Sequence, residues 1–390
     1  MANTGMNTTY DNTGGKIRVI ADLIKMIDPV EAPGLSLFGL DNAKKFGITP
    51  WPNPGVSSKY EWQEQVMAPR SGTLDEADDG SETDLDVQSG EGSYLKKGHV
   101  IKVGDELMWV SSVATDTITV IRGWGTSTAA AHDDDTAWEI VGMSAIEGAD
   151  FVTGYRSEPT QPYNYRQIIS QAVKISGTQE ITSDYGIPDS MARELAMLIG
   201  GGNGFGSKGK AGTLAILLAK SFYHGTRLVG TATVAGGMGG VDTFVTTNVT
   251  AAASAALTRT MIDDAVEDCW LAGGSPETII CNSWAKRKMA SFFEGSIRTD
   301  RTETTGGSHI SKYMTGQGLD MDVVVDRWCP QNKMYIVEKD KIGWLTYRPF
   351  SIYDRASTGD YMVKDVLGEF GFVVQNEKAH AIISGFSITT

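Results

Sequence analysis

The stretch LTRTMIDDAVEDCWLAGGSPETIICNSWAKRKMASFF, Leu257 to Phe293, decides the fold. It reads as helix, tight turn, strand, helix. Thr260 stands three residues before Asp263, a capping-box-like start with an acid in the first turn. Met261, Ile262, Ala265, Val266, Cys269 and Trp270 recur at helical spacing, and Asp263, Asp264, Glu267 and Asp268 fill the opposite face. Gly273 and Gly274 end this helix, because glycine enters the left-handed C-terminal position without steric cost. Pro276 blocks a restart, and Thr278–Cys281 is a short apolar strand. Ser283 is placed to cap a second helix, whose Lys286, Arg287 and Lys288 lie opposite Trp284, Met289, Phe292 and Phe293. Such a unit buries its apolar faces only by packing on further strands. These are expected at Met321–Val325 and Lys333–Val337.

Around this centre the composition sets limits. A chain of 390 residues is long enough for two or three domains of roughly 150 residues each. The net charge of −14 argues against salt-dependent binding of nucleic acid, which needs clustered Lys and Arg. Met1–Lys16 is polar and lacks the apolar core of a secretory signal. The longest apolar run, Leu214–Ala219, is far short of the roughly 20 residues of a membrane span, so no membrane partner is expected. Cys269, Cys281 and Cys329 are odd in number, and two fall in core segments, which reads as reduced packing cysteines in a reducing compartment. Ser71–Glu91 carries eight acids and no base. Such a block is a solvated, mobile face or a surface that docks on the basic patch of another chain.

In chain order, residues 1–20 read as an arm, and Ala21–Ile27 as a short helix stopped by Asp28-Pro29. Lys59–Glu64 alternates as a strand and is expected to pair with Tyr163–Gly177, giving a long hairpin with cargo at its tip. That cargo, Leu95–Gly142, holds four short β-patterned runs and reads as a small barrel or sandwich. Pro188–Ile199 and Thr213–His224 are helical, separated by the glycine-rich run Gly200–Gly212. Val229–Val249 is β-patterned, Asp300–Gly318 is loop-like, and the last eighty residues are mostly strand.

Few motifs carry chemistry. Gly204–Lys210 fits the core of a phosphate-cradling loop, but Ala211 stands where a magnesium-holding Ser or Thr is needed, and a helix rather than a strand precedes it. Nucleotide hydrolysis is therefore a distant alternative, and a hinge in a long helix the better reading. His132 with Asp133, Asp134 and Asp135 suggests a metal, yet adjacent acids on one tight loop do not converge on one ion. No nucleophile elbow, zinc-protease helix or paired-cysteine motif is present. The reading assigns no catalytic, cofactor-binding or metal-binding residue and expects no enzyme.

The C-terminal quarter is more specific. Tyr347-Arg348-Pro349-Phe350, Thr358-Gly359-Asp360 and Asn376-Glu377-Lys378-Ala379-His380 running on to Ile383 resemble the closing signature of the tailed-bacteriophage major capsid proteins. Gly273–Pro276 with the strand and basic helix after it, Asn164–Ile168, Val173–Thr178 and Tyr60–Gln63 are similar to further parts of that family in the same order. Pro29, Pro33 and Phe38 fall where its N-terminal segment has prolines. The resemblance implies the α+β Hong Kong 97-type capsid fold. On that map residues 1–58 are the N-terminal arm, 59–94 and 143–178 the E-loop hairpin, and 95–142 a small all-β insertion in it. Residues 179–256 are a peripheral domain whose spine helix spans 185–224, 257–345 an axial domain, and 346–390 strands returning through both. The glycine run departs from the family, since each interior glycine costs a helix about 1 kcal/mol relative to alanine.

The implied function is a shell subunit forming pentamers and hexamers of an icosahedral head around double-stranded DNA, in a virion assembled in the host cytoplasm. Its acidic lining lets DNA slide without sticking. Portal, scaffolding and decoration proteins are the implied further partners. Apart from the resemblance, Trp124 and Trp138 in the β insertion are compatible with binding host glycans or a decoration protein, though core packing is the commoner role of such tryptophans. An encapsulin-like nanocompartment shell of the same fold is the alternative. Subunit contacts are expected at Trp62, Met67, Arg70, Asp75, Glu76, Asp78 and Asp79, the acids facing Lys286, Arg287 or Lys288 of an adjacent copy.

Overall fold

The computed structural model describes residues 37–38, 58–150, 152, 154, 157–182, 190–199, 212–292 and 312–388. The chain divides into two compact units, Gln63–Gln161 and the combination of Met1–Trp62 with Pro162–Thr390. The expected arm falls outside the described residues apart from Leu37, Phe38 and Ser58, and so do the helix at 21–27, the glycine run 200–211 and the loop-like motif 204–210.

In chain order the strands begin with β1 (Lys59–Glu61). The smaller unit then contributes β2 (Ser71–Thr73), β3 (Asp84–Asp86), β4 (His99–Val103), β5 (Glu106–Ala114), β6 (Thr117–Ile121) and β7 (Ala137–Met143). Their order is β2-β7-β4-β5-β6-β3. Leu74 pairs with Val87 just beyond β2 and β3, with Asp75 N–H donating to Asp86 O and Gln88 N–H to Thr73 O, so the sheet closes on itself as a barrel. Closure satisfies the backbone groups that an open sheet leaves at its edges. Inside lie Leu74, Leu85, Val87, Leu95, Ile101, Val103, Met108, Val110, Ile118, Val120 and Trp138.

This corrects the boundary drawn at residue 95. Residues 71–91 are not a mobile acidic face on a hairpin: they supply two staves of the barrel. Asp84, Leu85 and Asp86 alternate exposed, buried, exposed, so the acids are the outer half of a period-two pattern.

The larger unit continues with β8 (Tyr163–Tyr165), β9 (Gln167–Ser176), α1 (Ser190–Ile199) and α2 (Thr213–His224). Then come β10 (Val249–Ala251), α3 (Arg259–Leu271), β11 (Thr278–Cys281) and α4 (Ser283–Ser291). It ends with β12 (Lys312–Met314), β13 (Asp320–Val325), β14 (Lys333–Val337), β15 (Ile342–Arg355), β16 (Tyr361–Val374) and β17 (Ala381–Ser384). Val241–Phe244, read as β-patterned, is one helical turn.

A six-stranded sheet runs β10-β17-β14-β11-β13-β12, with β11 parallel to β13 and antiparallel to β14. All four residues of β11 are buried because the sheet is covered on both sides. Ile279, Cys281, Ile336 and Ile383 face Ile262, Ala265, Val266 and Cys269 of α3 and Met289 of α4. Ile280, Tyr335, Val337 and Ile382 enter a second core with Phe222, Tyr223, Trp344 and Phe372, which Phe38 joins by stacking on Phe222 at 5.3 Å.

The helix ends differ in detail from the sequence reading. Thr258 caps α3, accepting from Met261 N–H, in place of Thr260. Leu257 and Ile262 share one core, the placement of a hydrophobic staple that fixes where the helix begins. Asn282 caps α4 through Ala285 N–H, in place of Ser283. At the C-terminus of α3, Gly273 (φ 87°) and Gly274 donate to Trp270 O and Cys269 O, closing a Schellman motif.

The third sheet is a long hairpin, β15 and β16, extended by β9 in the order β15-β16-β9. The register shifts around Arg348, next to Pro349, which has no N–H to give the ladder. The expected hairpin of 59–64 with 163–177 is thus shorter than its sequence suggested: β1 pairs with β8 only, and β9 pairs with β16. Burial decides this, since Ile169, Val173 and Ile175 belong to the core that holds α1 and α2.

Candidate functional site: surfaces for subunit contact

The ten residues expected at subunit contacts fall into three groups. Two are corrected. Trp62 is buried inside its own unit, its ring 5.6 Å from Phe244 and 6.2 Å from Tyr60, so it anchors its own chain. Asp78 is buried in the barrel and pairs with Arg122 at 2.5 Å. The remaining acids and Arg70 are exposed, Met67 is exposed, and among the bases Arg287 is exposed while Lys286 and Lys288 are half-buried. Asp79 already accepts from Ser81 N–H, Ser81 Oγ and Glu82 N–H, which hold its carboxyl below the usual range. The acids lie in one compact unit and the three bases in the other.

Sequence reading missed the group that shapes the acidic surface. Arg122 donates from Nε and Nη2 to both oxygens of Glu106, at 3.1 and 2.7 Å, and from Nη1 to Asp78 Oδ1. It also donates to Glu82 O at 3.2 Å and Ala130 O at 2.6 Å. Glu106 further accepts from Gly123 N–H and Ala130 N–H, and His132 Nε2 lies 3.1 Å away. Burial alone would raise the Glu106 carboxyl, but Arg122 and the backbone donors outweigh it and hold the pKa at about 2. The His132 ring is thereby engaged with a carboxylate. Among the described residues no three potential metal ligands converge.

The Asn376–Ile383 run acquires a physical role. The Glu377 carboxylate accepts from Thr246 N–H and Oγ1 at 3.1 and 2.9 Å and from Thr247 Oγ1 at 2.7 Å. Asn248 Nδ2 donates to Lys378 O. Glu338 N–H donates to His380 Nδ1 and the ring reaches Gln375 O through Nε2, both at 3.2 Å, which fixes a neutral imidazole. Burial pushes its pKa down to about 4. The run therefore ties β14 and β17 to the segment leading into β10.

A second tether fixes β1 and β8. Tyr60 Oη donates to Phe372 O at 2.9 Å and accepts from Phe372 N–H at 2.7 Å. Buried Asn164 donates to Phe372 O and Gly239 O and accepts from Gly239 N–H. Both entry strands thus reach β16 through fully satisfied polar groups.

Outward-facing apolar side chains remain on several elements: Met314 on the edge strand β12, Ile352 and Tyr353 on the edge strand β15, and Trp270 and Leu271 at the end of α3. Exposed apolar surface marks places where another chain packs when it is contiguous.

The model of the SU10 major capsid protein family matches residues 2–387. This chain belongs to the SU10 major capsid protein family. Among solved structures it is similar to the capsid of a native GTA particle, at 10% identity, with 98% of this chain and 100% of that chain covered and a TM-score of 0.54. For the capsid of an empty GTA particle the values are 11%, 98%, 99% and 0.51. The SrpI encapsulin of Synechococcus elongatus PCC 7942 gives 12% identity over 60% of this chain and 79% of that chain, with a TM-score of 0.41. No curated protein matches. The α+β architecture is the Hong Kong 97-type capsid fold. In a major capsid protein of this family, buried tethers such as those at Tyr60, Asn164 and Glu377 fix how the strands of one subunit meet.

Proposed function

We propose that this chain is the structural subunit of a tailed-phage head, assembling as pentamers and hexamers into an icosahedral shell around double-stranded DNA. The family match over residues 2–387 carries the reading. The negative charge of the chain supports an interior that contains DNA without gripping it. Assembly in the host cytoplasm, with a portal and with scaffolding or decoration proteins, belongs to the same proposal. So does the division of the larger unit into peripheral and axial parts, with the barrel inserted in the E-loop.

Arg70, Asp75, Glu76 and Asp79 on the barrel side, and Lys286, Arg287 and Lys288 on α4, are the proposed polar contacts between copies, with exposed Met67 a proposed apolar contact beside them. They are exposed or half-buried, so their effect is on rate and register more than on affinity, and salt screens it. The test is electron microscopy of the expressed chain for closed shells, with nuclease digestion of particles purified from infected cells. Closed icosahedral shells with protected DNA are expected from infected cells. A monomer at every concentration would sink the reading, and shells filled with protein and no DNA would replace it with a nanocompartment.

A further inference from the structure

The segment after α2 leaves the body of the larger unit as a small hairpin, Thr226–Gly237. Leu228 and Gly237 exchange two backbone hydrogen bonds of 3.0 Å, and Thr231 N–H donates to Val234 O at 2.8 Å across the tip. Gly230 and Gly236 bring the two arms so close that a Cβ on Gly230 would lie 3.0 Å from Gly236 N. The foot is fastened by Arg227, which stacks over Tyr163 at 4.2 Å and donates to Tyr163 O at 3.1 Å. A rigid, anchored hairpin is therefore built to hold its tip away from the body.

What it holds there is apolar. Leu228, Val229 and Val234 are 47%, 52% and 51% exposed. No charged residue occurs from Leu228 to Val241, in a chain whose net charge is −14. At the foot of the hairpin, between β9 and α2, lies an open groove of about 550 Å³. Ile168 and Leu217 line it and are 56% and 47% exposed, with Lys220 and His224 also in its wall.

We propose that the hairpin tip of one copy seats in this groove of the next. The proposal rests on the shell reading and names one of its contacts. Two copies of so acidic a chain repel one another, and an uncharged projection is a part of each that approaches the other without that cost. Tip and groove are different surfaces of the same chain, so the contact is head-to-tail and either closes into a ring or repeats along the shell. A partner of unrelated sequence has no reason to match both surfaces, whereas a second copy supplies both by construction.

The test uses the full chain and two cysteine variants, Val234→Cys and Leu217→Cys, which add an accessible thiol to a protein whose three native cysteines are buried. Co-assembled particles of the two variants, oxidised mildly, should give a covalent dimer that particles of either variant alone do not. The double variant Val229→Asp with Val234→Asp should lower particle yield at least tenfold while the far-ultraviolet melt of the subunit stays that of the unsubstituted chain. Should the aspartate variant misfold, the cysteine pair still decides the matter. Particles that assemble at normal yield without a mixed cross-link overturn this contact and leave the shell reading standing. Absence of particles from the unsubstituted chain overturns both.

Discussion

Arg122 is the residue on which the smaller unit turns. Its guanidinium meets two buried carboxylates, so its removal leaves Glu106 and Asp78 in the interior without their arginine, held only by backbone N–H groups and, for Glu106, by His132. Arg122→Met is expected to cost the barrel about 3–5 kcal/mol, read as a lower denaturant midpoint of its transition. Two acid-sensitive groups separate the units by pH. His380 ionises at about 4 in the fold against about 6.5 unfolded, so the unfolded chain binds the proton first. Stability of the larger unit is therefore complete above pH 6.5 and falls as the pH drops towards 4, by about 3 kcal/mol in all. Glu106, held at about 2 against about 4.5, contributes stability that is intact above pH 4.5 and lost below it. Denaturant titrations at pH 7, 5 and 3 should show the larger unit weakening first, and a His380→Gln chain should lose the upper step. The family resemblance singled out the run that ends at His380 without its role, and nothing in the sequence announced the cluster around Arg122 and Glu106. The Arg122 partners stand 16 and 44 residues away, and proximity in space is what periodicity does not encode.

At the scale of elements, the tethers of β1 and β8 invite a direct measurement. Tyr60→Phe removes a hydroxyl that satisfies both backbone groups of buried Phe372, and a loss of about 1–3 kcal/mol is expected in equilibrium unfolding. A change below 0.3 kcal/mol would show that solvent replaces the hydroxyl. Much at this scale was legible. Strands β11 and β14 and helix α2 stand where the sequence put them, because each is a strong apolar pattern with a clear punctuation at its ends. Caps were displaced by one or two residues, since Thr258 and Thr260, or Asn282 and Ser283, are equally able to cap and only the burial of Leu257 breaks the tie for α3. The partner of β9 was misassigned for a related reason: alternation says which side of a strand is buried and leaves its neighbour in the sheet open. In Ser71–Glu91 the number of acids masked Leu74, Leu85 and Val87, whose spacing marked them as interior.

For the whole molecule, the closed ring of strands and its own core make Gln63–Gln161 a self-sufficient piece. Expressed alone, residues 63–161 should melt cooperatively, and a broad transition with no chemical-shift dispersion would contradict this. The larger unit keeps its cores without that piece, so replacing 65–159 by a short glycine linker should preserve its cooperative unfolding. One small detail has reach in another direction. Glu64 and Thr160 lie paired where the barrel begins and ends, each donating its N–H to the other's carbonyl. Chain enters and leaves through one doorway a single hydrogen-bonded pair wide. A gene for such a protein can acquire, drop or exchange the whole barrel in one recombination event, with the reading of every other part undisturbed. Lineages that differ in this one module are what such a doorway makes easy to inherit.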